Sequence, residues 1–415
     1  MTNKKLSVLS ILFFVVSLGV GYFGLSAYSA PSLSPSKTTA SLEPTIPPEP
    51  LTEECPTNGK MYGVSAKNAW VKRRPLGVVI ENHKESRPQS GISDADVVYE
   101  GVSEGGVTRT LSIFYCQDTK TVGPVRSARV HFINLLREWG NNPLYAHVGG
   151  ANCDRETGSG CGNGAPADAL GLINKLSWNL YNDLNQFSIP YPQYYRDYDR
   201  LPGVATEHTM YSSTKKLWDY AAKNRKLTEV DEDGVRWDKG WTPWKFIDDA
   251  DTSKRGSEKY IAYDFYDTNA AEYGVVWNYD TTTNTYLRTN GGKPHKDFNN
   301  DKQLSAKNVV IIDAREVSAN DDYPGGHVVY RLTGTGDAYV FQNGKKIKAT
   351  WSKETLDSKM EFTDENNKEI SMVRGVTWLS LIPTGNLVYS GAAAPTKSEG
   401  SPVPTSKVVK KEVTE

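Results

Sequence analysis

The chain has 415 residues, 38% of them hydrophobic and 11% aromatic, which suits two or three packed domains and excludes a mainly disordered polypeptide. With 48 Lys and Arg against 49 Asp and Glu the formal net charge is -1, so the broad basic face that captures nucleic acid by counterion release is not expected. A local anion site is compatible with that balance.

Lys4 and Lys5 precede the uncharged run "LSVLSILFFVVSLGVGYFGL", whose roughly 20 residues match one bilayer crossing as a helix. Basic residues before it favour a cytoplasmic N-terminus with the rest of the chain outside. Residues 1–28 are therefore expected to be a single transmembrane anchor. A cleaved signal peptide is the alternative, because Ser26, Ala27, Ser29 and Ala30 offer a peptidase small residues, and the protein would then be secreted. The run is long for a signal peptide, and Leu25 or Tyr28 would occupy an outer cleavage position, so the anchor is preferred. Residues 29–56 open with "SAPSLSPSKTTASLEPTIPPEP", dense in Pro, Ser and Thr and without apolar periodicity, which reads as an extended stalk. Residues 390–415 have the same character and read as a disordered tail.

All four cysteines, Cys55, Cys116, Cys153 and Cys161, lie beyond the apolar run, as export to an oxidising compartment predicts. "CDRETGSGC" can close a small loop, leaving Cys55 to pair with Cys116, although the sequence permits three connectivities. No local signal activates a catalytic thiol. No close Cys pair or HExxH spacing predicts a metal site.

From residue 57 the chain folds. "PLGVVIEN", "ADVVYEGV" and "TRTLSIFYC" read as strands, being β-branched and aromatic runs punctuated by Gly, Ser and Asp. "SARVHFINLLREWG" reads as a helix beginning near Ser127, with Val130, Ile133, Leu136 and Trp139 in one stripe and Gly140 and Pro143 ending it. Further helices are predicted from Pro166, through Leu170, Ile173 and Leu176, and after Ser212, through Leu217, Trp218 and Ala221. Residues 57–225 thus predict a mixed α/β domain, and residues 226–242 a connector. Over 243–389 strand signals dominate. Asn343-Gly344 is a hairpin turn signal because both residues tolerate positive φ, "MEFTDENNKEISMV" predicts a second hairpin, and "GTGDAY" reads as a turn, since it lacks the third glycine and the strand-to-helix setting of a dinucleotide loop. The fold class is α+β, a mixed first domain followed by a smaller, mostly antiparallel β domain.

"PLGVVIENHKESRPQSGISDADVVYEG", "EGGVTRTLSIF", "VGPVRSAR", "AHVGGA" and "EHTMYSS" together resemble the succession of blocks in the YerB-like family of exported bacterial proteins. "VVWNYDTTTNTYLRTNGGKPHKDF", "AKNVVI" and "GVTWLSLIP" are similar to that family's C-terminal domain. The likeness spans about residues 70 to 385. It implies an envelope location and a biochemical activity that is unassigned. Many members are lipoproteins attached through an N-terminal cysteine; here no cysteine precedes Cys55, so the apolar helix is expected to take over the anchoring.

Arg126 and Arg129 flank the predicted helix start, where unpaired N–H groups and the dipole already supply positive potential. An anion resolves the conflict. It is either a ligand phosphate or carboxylate, with Arg109, Arg126 and Arg129 as the anion-binding set, or protein acids, for which Asp94, Asp96, Glu100 and Glu104 are candidates. Arg109 falls in phase with Leu111 and Ile113 and so points inward. His83, His147, His208 and His295 sit in family-like blocks beside Asn82, Gly149, Tyr211 and Asp297; His83 and His147 are the candidate proton-transfer groups, and Asn82, Asp96, Glu100, Glu104, His208 and Tyr211 the supporting ones. Tyr191, Tyr194, Tyr195 and Tyr198, with Arg196 and Arg200, suit either sugar stacking or the packing of an irregular loop. Two functions follow. The preferred one is a binding or assembly module for cell-wall polymer or an envelope partner, tethered to the membrane and not engaging nucleic acid. The alternative is an extracytoplasmic enzyme acting on phosphate- or pyrophosphate-linked glycans; its layout is similar to that of LytR-CpsA-Psr transferases, whose arginine-aspartate-threonine signature this chain lacks. No cofactor is identified.

Overall fold

The structure, a computed structural model, describes residues 49–153, 165–321 and 325–394. The anchor expected over 1–28, most of the stalk and most of the tail lie outside these residues. Among the described residues no helix is long and apolar enough to cross a membrane.

The fold is α+β. The longer helices among the described residues are α1 (Val64–Trp70), α2 (Val130–Leu136), α3 (Ala169–Lys175) and α4 (Thr214–Arg225), and a single helical turn spans Ala270–Tyr273. The main strands are β1 (Leu76–Glu81), β2 (Val97–Glu104), β3 (Val107–Phe114), β4 (Leu144–His147), β5 (Asp183–Asn185), β6 (Tyr260–Tyr263), β7 (Val275–Asp280), β8 (Thr285–Asn290), β9 (Asn308–Ala314), β10 (Gly334–Gln342), β11 (Lys345–Lys353), β12 (Glu361–Thr363), β13 (Thr377–Pro383) and β14 (Val388–Gly391).

Ten of these form one sheet in the order β12-β11-β10-β9-β13-β2-β3-β1-β4-β5. Hairpins make β10–β11 and β2–β3 antiparallel, whereas β9–β13, β13–β2, β1–β4 and β4–β5 are parallel. Every residue of β1 is buried, which is why it reads as an unbroken apolar run rather than an alternation. The join between the two sequence regions is β13 against β2, with Trp378 opposite Val98 and Ser380 opposite Glu100. A second, antiparallel sheet runs β8-β7-β6-β14, with short strands at Lys293–Pro294 and Ser305–Ala306 added to β8.

Three elements differ from the sequence reading. Helix α2 starts at Val130, not near Ser127, because residues before it are extended: Ala128 N–H donates to Gly149 O at 2.9 Å and Val148 N–H to Arg126 O at 3.0 Å. The stretch "GTGDAY" is not a turn but the start of β10; Gly336 faces Trp351 across the β10–β11 pair, and a Cβ there would stand 2.4 Å from the indole nitrogen. The second hairpin forms but is shorter than read: Asp364 N–H donates to Lys368 O at 2.9 Å and Ile370 N–H to Phe362 O at 2.8 Å, whereas Met372–Val373 leaves to pair in parallel with Phe246–Ile247.

Other local signals act as read. Asn343 and Gly344 adopt φ of 53° and 65° in the β10–β11 turn. Helix α4 follows Ser212 as expected and buries Leu217, Trp218 and Ala221; its cap is Ser213, which the sequence reading did not single out and whose Oγ accepts from Lys216 N–H at 3.2 Å. Cys55 and Cys116 form a disulfide. Cys153 is disulfide-bonded as well, while Cys161 lies outside the described residues.

Candidate functional site

The sheet places chemistry at one edge, where β1, β2 and β4 end and β3 begins. Glu81 closes β1, Glu104 closes β2 and His147 closes β4, while Arg109 lies near the start of β3, directly opposite Glu81. The extended segment before α2 crosses these ends: Glu81 N–H donates to Pro124 O at 2.9 Å and Arg126 N–H to Val79 O at 2.9 Å. Arg126 and Arg129 are thereby carried over the carboxyl ends of the strands, the edge at which parallel sheets commonly bind ligands.

There the arginines meet protein acids. Glu104 Oε1 accepts from Arg109, while its Oε2 accepts from Arg129 Nη2 at 2.6 Å and Nε at 3.2 Å. Arg109 also donates to Ser127 O at 3.1 Å, and Arg129 to Ala128 O at 2.8 Å. Burial alone would raise the Glu104 carboxyl; the two guanidiniums overcome it and hold the group at about 2. Burial, with Arg129 nearby, lowers Arg109 to about 10, so it stays cationic at neutral pH. His131, in α2, is fully buried against the Phe132 and Tyr330 rings with neither ring nitrogen hydrogen-bonded; burial drives it down to about 3, and it is neutral. Arg126 Nε is 3.0 Å from Glu81 Oε1, but its N–H is not aimed at that oxygen, so this contact is an ion pair without a hydrogen bond.

Glu81 is the residue the sequence reading missed, and it organises the second half of the edge. Its Oε2 is 2.7 Å from His208 Nδ1. The His83 ring stacks on that of His208, centroids 4.8 Å apart and planes 4° from parallel. Glu85 Oε2 is 3.8 Å from His208 Nε2. The Glu81 bond raises the His208 pKa against the effect of burial, whereas burial lowers that of His83.

Glu100 and Asn82 belong to a buried network that joins the two sequence regions. Glu100 accepts from Asn82 at 3.3 Å, Thr108 at 2.9 Å, Arg288 at 2.9 Å and Trp378 at 3.0 Å. Arg288 lies over the Trp378 ring at 4.5 Å and donates through Nε to His295 Nδ1 at 3.0 Å. Burial first, then Arg288, pushes His295 well below the usual imidazole range. Lys353 and Glu138 form another buried pair, 2.5 Å apart.

The remaining candidates lie elsewhere. His147 is fully buried with both nitrogens engaged, Nε2 2.6 Å from Asp183 Oδ1 and Nδ1 2.6 Å from Gly149 O, so it has no free nitrogen to offer a substrate. Asp96 accepts from the backbone of Tyr115 at 2.6 Å and Cys116 at 2.8 Å and from Asn58 at 2.6 Å, holding the disulfide end of β3; burial raises it to about 6. Cys55, Asp96 and Cys116 converge closely, but the disulfide removes both thiolates as metal ligands. Tyr211 is buried under the Arg200 guanidinium.

Within "YPQYYRDYDR" the roles separate. Tyr194 is buried and donates to Leu184 O at 2.5 Å, and Tyr195 lies under Lys216. Tyr191 is 81% exposed and Tyr198 55%, and Phe187, a few residues earlier, is 77% exposed beside Gly149. An open depression of about 560 Å3 is lined by Asp94, Asp118, Arg200, Phe298 and Asn299 among others.

Comparison with known proteins places these features. Residues 62–228 match the family model described as "Protein of unknown function (DUF3048) N-terminal domain", and residues 263–379 match its C-terminal counterpart. The chain is similar to YerB of Bacillus subtilis (strain 168), proposed by its name to be a lipoprotein, with 29% identity over 343 residues, or 82% of this chain and 89% of YerB. The crystal structure of Bacillus subtilis YerB superposes with a TM-score of 0.62 at 25% identity, covering 81% of this chain and 100% of that one.

Proposed function

The chain belongs to the DUF3048, or YerB-like, family, and from that membership we propose that it is a membrane-anchored extracytoplasmic protein whose folded part binds cell-wall glycan. The anchor in this reading is the apolar segment near the N-terminus, in place of a lipidated cysteine. The observation that carries the binding role is the exposure of Phe187, Tyr191 and Tyr198 on one irregular stretch between β5 and α4. Large rings left open to water lose apolar hydration when a sugar face covers them, and Arg196, exposed on the same stretch, presents a guanidinium to hydroxyl or phosphate oxygens. The enzyme reading draws less support. An anionic substrate at Arg109, Arg126 and Arg129 would have to displace Glu104 or Glu81, and removing either would leave buried charge uncompensated.

The test is co-sedimentation of the full chain with purified bacterial cell wall. Wild type is expected to pellet saturably, and Phe187→Ala/Tyr191→Ala to bind at least about tenfold more weakly with an unchanged melting temperature, since stacking on each ring is worth roughly 1 kcal/mol. Failure of the wild type to pellet would end this reading.

A further inference from the structure

We propose that His83, Glu85 and His208 form a binding site for one divalent transition-metal ion of the zinc class, a site that does not depend on the glycan reading. One ligand atom from each of the three lies within 4.8 Å of the others, and His208 Nε2 is 3.8 Å from Glu85 Oε2. Donors around a tetrahedral zinc at about 2.0–2.1 Å sit roughly 3.3–3.5 Å from one another, so the site is slightly expanded and must contract.

What distinguishes this cluster from a chance meeting of polar side chains is the residue behind it. Glu81 Oε2 accepts from His208 Nδ1 at 2.7 Å, so the neutral ring carries its proton on Nδ1 and Nε2, 3.8 Å from Glu85 Oε2, is the nitrogen a metal would take. Glu81 is itself buried and faces Arg126 Nε at 3.0 Å. A carboxylate that orients a ligating imidazole in this way is the recurring second layer of histidine metal sites. The donors come from two separate turns, the 3-10 turn Lys84–Ser86 capped by His83 and the turn Thr206–His208, which the end of β1 brings together.

His83 is the part that moves. A metal lies in the plane of each imidazole it binds, so the ring must rotate out of its parallel stack on His208. Besides that stack, a long 3.3 Å bond from Glu85 N–H to Nδ1 holds the ring, which is partly exposed. Lys84, the nearest cation in sequence, is drawn away by its ion pair with Glu272. Two imidazoles and one carboxylate suit zinc or its neighbours rather than magnesium or calcium, which take oxygen ligands. Three protein donors leave a fourth position for water or an exogenous oxygen.

The experiment titrates tag-free full-length protein in detergent, freed of metal with chelator, with zinc chloride by calorimetry and magnesium chloride for comparison. One zinc per chain is expected, without magnesium binding. His83→Ala and Glu85→Ala, both partly or largely exposed, should each weaken zinc by at least about tenfold, and Glu81→Gln by about 10–100-fold. Cobalt substituted for zinc should give tetrahedral visible absorption in wild type that is absent from His83→Ala. Zinc heats no larger than those of a His83→Ala/Glu85→Ala double variant, or equal affinities in all variants while circular dichroism shows them folded, would overturn the assignment.

Discussion

Glu104 carries two cations. Arg109 is only 2% exposed and Arg129 5%, so replacing the shared carboxylate strands two guanidiniums in a place water does not reach. Glu104→Gln is expected to lower the unfolding free energy by about 3–5 kcal/mol, the range for breaking one partner from a buried pair. Arg126→Ala should cost clearly less, because that side chain is 22% exposed and Glu81 keeps its bond to His208. Urea denaturation of the two variants separates the cases, and a reversed order would mean that Arg126 anchors the edge. At this scale the sequence was informative about one partner at a time. Arg109 points inward as its phase with Leu111 and Ile113 indicates, and Glu104 stood among the candidate acids. Glu81 could not be recognised, since its role comes from contacts with residues 45 and 127 positions away in the chain, and nothing local to "VVIEN" distinguishes it from an ordinary strand end.

Elements whose signals are local were legible. The Asn343-Gly344 turn uses only neighbouring backbone, so composition predicts it. Those whose ends are set by pairing were not. Helix α2 loses its first turn to the bonds that 126–128 make with 148–151, and its one-sided stripe is overrun because His131 through Leu136 are all buried. Gly336 signals a turn by itself and a strand only once Trp351 is opposite. The disulfide belongs to this scale too. It ties the Cys55 segment to the end of β3 across 61 residues, a closure whose entropy in the unfolded chain corresponds to about 4 kcal/mol. A Cys55→Ser/Cys116→Ser variant is expected to melt well below wild type in a calorimetric scan; unchanged melting would show that the segment frays at no cost to the rest.

In the whole molecule the ten-stranded sheet crosses from one sequence region to the other. Strand β13 lies between β9 and β2, and Glu100 at that seam depends on Arg288 and Trp378. A fragment ending at residue 242 would expose the full edge of β2 and leave Glu100 buried without its cation. It is expected to aggregate or to unfold without a cooperative transition, and to recover on co-expression with residues 243–394. A monomeric fragment that melts cooperatively would show the first region to be self-sufficient. The sequence by itself determined the α+β class, the family, most strands and the oxidised cysteines, because these follow from periodicity, composition and ordered blocks of residues. Which acid neutralises which arginine, that His147 is enclosed while a partly exposed His83 stacks on a buried His208, and that Phe187 and Tyr191 face water where Tyr194 does not were settled by the tertiary structure alone. The physical reason is that burial and ion pairing depend on distances between residues far apart in the chain, which pairing of the strands alone sets.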